Sequence, residues 1–296
     1  MGEILIDCYI SLKRVKDLCA ELNVNDETLE RVAPYIDKTK LSDIAPYFTG
    51  LFSRETAPTA SKSIEALCNN ADGRPADDGF KILAVFIVAA LRSRELYKSM
   101  GIDDKIFLKT MNFIKLVPEE NKFYGGRLVF DRQYWFYRHV SLTSFKLGIF
   151  EFEIRTLESG EDAGFPGEAD IPVVAVHIPA GSVMTRENLN DAYAKARAFF
   201  TKYFPGHEYK NFYCGSWLLS PALREMLGPG SKILEFQSDF RITRYESESE
   251  SCVYSLFKKR SLDDLNDFPE DTSLRRAAKK RLLAGGHIGT AYGVLK

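Results

Sequence analysis

Ile171-Pro172-Val173-Val174-Ala175-Val176-His177-Ile178, followed by Pro179-Ala180-Gly181, and then Tyr213-Cys214-Gly215-Ser216-Trp217-Leu218-Leu219 are the two blocks that decide the fold. In each, an apolar, strand-like run ends in reactive or polar side chains. The first is almost continuously apolar, the pattern of a strand buried on both faces inside an α/β sheet. Between the blocks lies the clearest helix of the chain. Thr185 can cap it, Glu187 sits in its first turn, and Leu189, Ala192, Tyr193, Ala196, Phe199, Phe200 and Tyr203 form one apolar stripe before Pro205-Gly206 stops it. A strand, a crossover helix and a second strand normally make a right-handed unit with parallel strands. The spacing therefore predicts parallel strands over 171–178 and 209–216, with His177, Cys214 and Ser216 near their carboxyl ends. Open α/β sheets place their ligands at such ends.

Outward from this unit the chain divides into two kinds of sequence. Residues 1 to about 123 read as helical. Amphipathic stretches at 7–22 and 25–35 are split by an Asn23–Asn25 break, Pro34, Pro46 and Pro58 mark boundaries, and a buried helix runs over 79–99 until Gly101. A helix over 103–117 is expected to close at Pro118. After residue 123 strands enter. Phe150, Phe152 and Ile154 alternate with Glu151, Glu153 and Arg155, a period of two with one face buried and one wet. A polar loop is expected over 158–170. Short helices follow at 221–227 and 232–236, and strands at 240–245 and 252–257 are joined through the acidic run Glu246-Ser247-Glu248-Ser249-Glu250-Ser251, read as a solvated hairpin end. A helix over 272–284 and a last strand over 288–295 complete the chain. The expectation is a helical N-terminal domain, 1–123, followed by an α/β domain on a mixed sheet, 124–296.

Composition narrows the classes of function. The 296 residues carry 40 basic and 41 acidic side chains, which gives no electrostatic case for nucleic acid or an anionic membrane surface. Five cysteines, an odd number without a CxxC pair, suit a reducing compartment. The start lacks the basic region and long apolar run of a signal peptide. The most apolar helical stretch, 82–91, has ten residues, against about 20 needed to span a bilayer. The expectation is a cytoplasmic protein with no membrane partner. No pair of the four histidines has metal-ligand spacing, and no metal is expected.

Gly101-Ile102 with Lys109-Thr110, Trp135 with Arg138-His139, Leu147-Gly148-Ile149-Phe150-Glu151-Phe152, and His177-Ile178-Pro179-Ala180-Gly181 carry a resemblance. Phe199-Phe200, Phe204-Pro205, Cys214-Gly215-Ser216-Trp217-Leu218-Leu219-Ser220-Pro221, Phe236-Gln237, Phe240 and Thr272-Ser273-Leu274-Arg275-Arg276-Ala277 continue it in fixed order. The chain resembles the bacterial acyltransferase domain-containing proteins, which join an acyltransferase-like helical N-terminal domain to a GNAT-like C-terminal domain. The likeness is detailed over residues 100 to 296. It departs from the family pattern where many members have Cys-His-Ser-Trp and this chain has Gly215, and where an aspartate often precedes the proline and this chain has Ser220.

The resemblance implies an acyl transfer from a coenzyme A thioester to an amine or hydroxyl acceptor, with strands 171–178 and 209–216 splaying where the thioester enters. GNAT enzymes hold the pyrophosphate at a glycine-rich turn before a helix N-terminus. The equivalent turn is 179–185, where the usual glycine signature is reduced to Gly181, with Ser182 and Thr185 as hydroxyl donors. His177 is either a hydrogen-bonded core histidine or a general base. Cys214 is either buried and inert or a thiolate paired with His177, and Ser216 shares its strand face. Arg275, Arg276, Lys279 and Lys280 form either a solvated stripe or a phosphate contact. Two other readings stand beside acyl transfer: a catalytically silent binder of a ligand or protein, and a Cys–His acyl hydrolase.

Overall fold

The computed structural model describes residues 6, 8–158, 170–259 and 261–296. The chain forms two compact units, Met1–Lys146 and Leu147–Lys296.

In the first unit every described regular element but a short strand at its end is helical. Helix α1 (Leu12–Glu21) is capped by the Ser11 hydroxyl and α2 (Asp26–Val32) by the Asn25 side chain, which accepts from the Thr28 amide at 2.8 Å. Pro46 and Pro58 each sit in the first turn of a helix, where no amide donor is missed, the second opening α3 (Ala57–Cys68). Helix α4 (Phe80–Ser99) is buried almost all round from Phe80 to Leu91. The expected single helix over 103–117 is instead two, α5 (Asp104–Met111) and α6 (Phe113–Gly125). The break falls at Asn112, and Pro118 lies inside α6. There it forfeits one backbone bond, while Phe113, Ile114, Val117 and Pro118 itself are buried and hold the helix together. Helix α7 (Gln133–Val140) carries Tyr134-Trp135-Phe136-Tyr137 and stacks Phe136 on Phe113 with ring centroids 4.4 Å apart.

Strands β1 (Ser144–Leu147), β2 (Phe150–Leu157), β3 (Ile171–His177), β4 (Phe212–Ser216), β5 (Phe240–Glu246) and β6 (Thr290–Leu295) make one sheet in the order β1-β2-β3-β4-β6-β5. Parallel β3 and β4 form the middle of the sheet, joined through α8 (Arg186–Tyr203), while β2 with β3, β4 with β6 and β6 with β5 pair antiparallel. Leu189, Ala192, Tyr193, Ala196, Phe199 and Phe200 of α8 are buried. Tyr193 meets Phe150 and Phe212 at 6.1 and 6.5 Å between centroids. Burial of each large side chain here is worth roughly 1.5–3 kcal/mol.

The stretch expected as a strand over 252–257 is a helix, α10 (Ser251–Phe257), which follows α9 (Lys232–Ser238) and β5. Strand β5 pairs with β6 instead. The reason lies in the buried positions: Cys252, Val253, Leu256 and Phe257 recur at i, i+1, i+4 and i+5, a helical stripe. That stripe packs in one cluster with Phe268 and with Ala278 and Leu282 of α11 (Ser273–Leu283). The acidic run is therefore the turn from a strand into a helix. Ser249 and Ser251 set it by hydrogen bonds to the Thr290 hydroxyl at 2.9 and 2.6 Å. The expected polar loop lies, over 159–169, outside the described residues.

Candidate active site

Strands β3 and β4 share only two register pairs, Val174 with Phe212 and Ala175 with Tyr213. Just before them the Val174 amide donates to the Asn211 carbonyl at 3.1 Å and the Lys210 amide to that of Pro172 at 2.9 Å. Beyond them the partners diverge. Val176 and His177 stay in register with Phe152 and Glu151 of β2, while Cys214, Gly215 and Ser216 stay with Gly293, Tyr292 and Ala291 of β6. The expected parallel pairing and the splay near His177 and Cys214 are both present.

Alternation along the strands sorts the side chains onto two faces. Register places Glu151, Glu153, Ala175, His177, Tyr213, Gly215 and Tyr292 on one face. Phe152, Val174, Phe212, Cys214 and Ser216 lie on the other, the face covered by α8. Register thus puts His177 on the face of Gly215, across the splay, and not on the face of Cys214. Cys214 is fully buried, and burial pushes its thiol up to about 12. The Ser216 hydroxyl accepts from the Leu218 amide at 3.1 Å, capping the turn Trp217–Leu219.

His177 has a partner that sequence reasoning missed. Its Nε2 lies 2.7 Å from Glu153 Oε2, with side chains only 19% and 11% exposed. An ionised carboxylate only accepts, so Nε2 carries the hydrogen in this contact. Antiparallel pairing makes Glu153, which opposes Ala175, the diagonal neighbour of His177. In the sequence Glu153 reads as one of several wet-face residues, and nothing local distinguishes it.

The turn between β3 and α8 is exposed at Ala180, Gly181 and Val183. Gly181 has φ +78°, a left-handed conformation that glycine adopts without cost, and the space where a Cβ would stand is open. The Ser182 hydroxyl is 3.0 Å from the Ile149 carbonyl and 2.8 Å from that of Pro179, so it braces the turn. Thr185 caps α8, its hydroxyl accepting from the Asn188 amide at 3.2 Å. Arg186, in the first turn, is held by Glu235 and Asp239 at 2.8 Å each. The 18-residue α8 thus presents its positive dipole end at an exposed, glycine-containing turn.

Three further residues have structural work. Ser220 is fully buried; it donates to the Ile288 carbonyl and accepts from the Ala222 amide. On α11, Arg275 donates to the Leu256 carbonyl and Asp271, and Lys279 to the carbonyls of Asn266 and Phe268. Half of the basic stripe is therefore turned into the fold, neither solvated nor directed at a phosphate. Among the described residues no group of three or more His, Cys, Asp or Glu side chains is arranged to hold a metal ion, and no helix is long and apolar enough to cross a membrane.

Comparison with known proteins adds three findings. A family model described as a GNAT-like C-terminal domain matches residues 144–295, and one described as an N-acyltransferase N-terminal domain matches residues 13–142. No curated protein matches the sequence. Among solved structures, an acyltransferase mutant in complex with octanoyl-CoA aligns at a TM-score of 0.79 and 21% identity, over 96% of this chain and 88% of its own. An acyltransferase in complex with CoA and 10C-teicoplanin aligns at 0.77 and 21%, over 95% and 87%. Another, in complex with decanoyl-CoA and teicoplanin, aligns at 0.74 and 20%, over 95% and 87%. At such identities the likeness is one of fold.

Proposed function

Because the chain belongs to the family defined by a GNAT-like C-terminal domain, here preceded by an N-acyltransferase N-terminal domain, we propose that it transfers an acyl group from a coenzyme A thioester to an amine or hydroxyl acceptor. The observation that carries this reading is the ladder between β3 and β4 that ends after Ala175 and Tyr213. An extended pantetheine arm can enter such an opening and meet backbone donors and acceptors on both edges. The structures of similar fold were solved with octanoyl-CoA, decanoyl-CoA and CoA, which supports a donor of that class.

In this reading the pyrophosphate rests on the turn at Gly181, Ser182 and Thr185, against the α8 N-terminus. Ser182 and Thr185 shape the turn more than they contact the ligand, since their hydroxyls already serve the backbone. His177 is the general base. Glu153 orients the ring and stabilises the imidazolium that forms when it takes the acceptor's proton. The acceptor then attacks the thioester carbonyl, and the carbon–sulfur bond breaks to release the CoA thiol.

Cys214 and Ser216 take no part in this reading, because they stand on the other face of the sheet from His177. A covalent Cys–His route would need that thiol beside the imidazole. The acceptor is a small molecule with a nucleophilic amine or hydroxyl; teicoplanin, bound in two of the similar structures, is a glycopeptide example from those proteins alone.

Titration of the full chain with octanoyl-CoA by calorimetry tests the reading. Saturable binding is expected, weakened by Gly181→Asp, which sets a carboxylate where phosphate approaches. Ligand at a hundred times its Kd should stabilise the fold by about 2.7 kcal/mol. Absence of binding at millimolar octanoyl-CoA and CoA would favour the silent-binder alternative.

A further inference from the structure

The floor of the splay is bare at one position. Gly215, the residue before the last in β4, is exposed on the face that carries His177 and Glu153. A Cβ there would lie 2.7 Å from both Cδ1 and Cε1 of Tyr292, closer than real side chains approach. The volume a residue at 215 would fill is filled instead by a ring reaching over from β6.

That ring is held from several sides. The Arg244 guanidinium stacks 4.0 Å from its centroid, and its hydroxyl donates to Glu246 Oε2 at 3.0 Å. Arg244 and Glu246 are themselves paired at 3.1 Å, and the Tyr213 ring stacks at 6.2 Å. A bulge in β5 makes this possible. Register shifts between Ile242, which opposes Gly293, and Arg244, which opposes Tyr292. The extra residue, Thr243, returns Arg244 and Glu246 to the face of Tyr292. Bulges characteristically re-aim side chains beside functional sites.

We propose that Tyr292 is a specificity-determining residue that withholds water from the thioester, leaving the approach past His177 to the true acceptor. The proposal rests on the acyl-transfer reading, which brings the thioester carbonyl into the splay beside Gly215. A small side chain at 292 would leave a gap beside that carbonyl, in line with exposed Gly215. Water would then attack the carbonyl carbon, the carbon–sulfur bond would break, and the products would be the fatty acid and the CoA thiol, which retains the proton given up by water. Exclusion of water against this side reaction is a general requirement of sites that handle activated acyl groups. The ring does this by shape, and its hydroxyl serves to anchor it to Glu246.

The test needs no knowledge of the acceptor. Full-length protein is incubated with octanoyl-CoA alone, and released CoA is measured by chromatography, alongside calorimetric Kd values and melting temperatures. Tyr292→Ala should raise hydrolysis roughly tenfold or more, within the range that pocket shape controls, at a similar Kd. Tyr292→Phe, which keeps the ring, should raise it far less. Gly215→Ala keeps the ring but displaces its edge, so it should also hydrolyse faster, and it serves if Tyr292→Ala does not fold. Equal hydrolysis by wild type, Tyr292→Ala and Gly215→Ala, all binding octanoyl-CoA, would overturn the proposal while leaving acyl transfer standing. Failure of the wild type to bind octanoyl-CoA would overturn both.

Discussion

His177 and Cys214 stand on opposite faces of one sheet, although they lie on neighbouring parallel strands. Strand alternation is enough to separate them: Ala175 opposes Tyr213, so His177 shares its face with Tyr213 and Gly215, and Cys214 shares its own with Phe212 under α8. Chemistry at this end of the sheet therefore belongs to the imidazole, and the thiol belongs to the core.

The thiol chemistry can be checked directly. Burial raises Cys19 and Cys252 to about 11 and Cys68 and Cys214 to about 12, whereas Cys8 is exposed. The thiolate is the reactive form, so native protein treated with iodoacetamide at neutral pH should gain one label, at Cys8. Unfolding in guanidinium should expose all five cysteines. Rapid native labelling at Cys214, read by peptide mass spectrometry, would contradict the burial assigned to it.

The His177–Glu153 pair makes a second expectation. His177→Ala should lower turnover of octanoyl-CoA by about 10²–10⁴, the usual worth of a general base, with octanoyl-CoA affinity retained. Glu153 acts through the imidazole, so its loss should appear in kcat and leave KM for octanoyl-CoA little changed. Glu153→Gln keeps a carbonyl to accept from Nε2 and should lose less than Glu153→Ala. Equal losses in both variants would mean that the charge, and not the accepting oxygen, is what His177 needs; no loss in Glu153→Gln would reduce the carboxylate to a space-filler.

Much of this arrangement follows from local pattern, and the rest does not. The β3–α8–β4 unit is legible because a continuous apolar run and a helical stripe have different periods. The helix over Ser251–Phe257 is not, since seven residues with Cys252, Val253, Leu256 and Phe257 buried satisfy either period loosely until α11 is known to cover one side. Pro118 misleads because its own burial offsets the bond it removes. The turn at Gly181 is legible as a place, from the glycine and the Thr185 cap. Glu153 and Tyr292 were hidden for a different reason: each acquires meaning only from a partner on another strand, and no spacing within the chain records which strands become neighbours.

In the first unit, Arg94 grips Glu21 through two nitrogens, at 2.8 and 2.6 Å, and also holds Asp104. Hydrogen bonding to that guanidinium holds the Glu21 carboxyl below its ordinary value. The folded state therefore keeps it ionised where the unfolded chain takes up a proton. Its contribution is complete above the ordinary glutamate range and is lost as pH falls through the lowered value. Melting temperature recorded from about pH 7 to pH 3 should fall less steeply for Glu21→Gln than for wild type. Parallel curves would show that the contact is too exposed to matter.

Lys279 offers a purely structural test. Its ammonium donates to the Asn266 and Phe268 carbonyls at 2.6 and 3.0 Å and pairs with Glu270 at 2.7 Å, with the side chain 9% exposed. Lys279→Met keeps the apolar stem and strands those acceptors, at a cost of about 2–4 kcal/mol. A lowered urea midpoint with an unchanged slope is expected. An unchanged midpoint would place the 266–270 segment outside the cooperative core.

The short ladder between β3 and β4 also has a mechanical side. Two register pairs, with the hydrogen bonds of the Val174 and Lys210 amides just before them, join one half of the sheet, β1-β2-β3, to the other, β4-β6-β5. The sheet thus contains two inner edges where an ordinary one has none, and an extended ligand laid along them would act as a missing strand. A loaded protein would then be a continuous sheet and an empty one two half-sheets sharing a hinge at Ala175 and Tyr213. Amide exchange at Val176 and Cys214 would report that change in stiffness, so the donor would govern the rigidity of the platform on which its own transfer takes place.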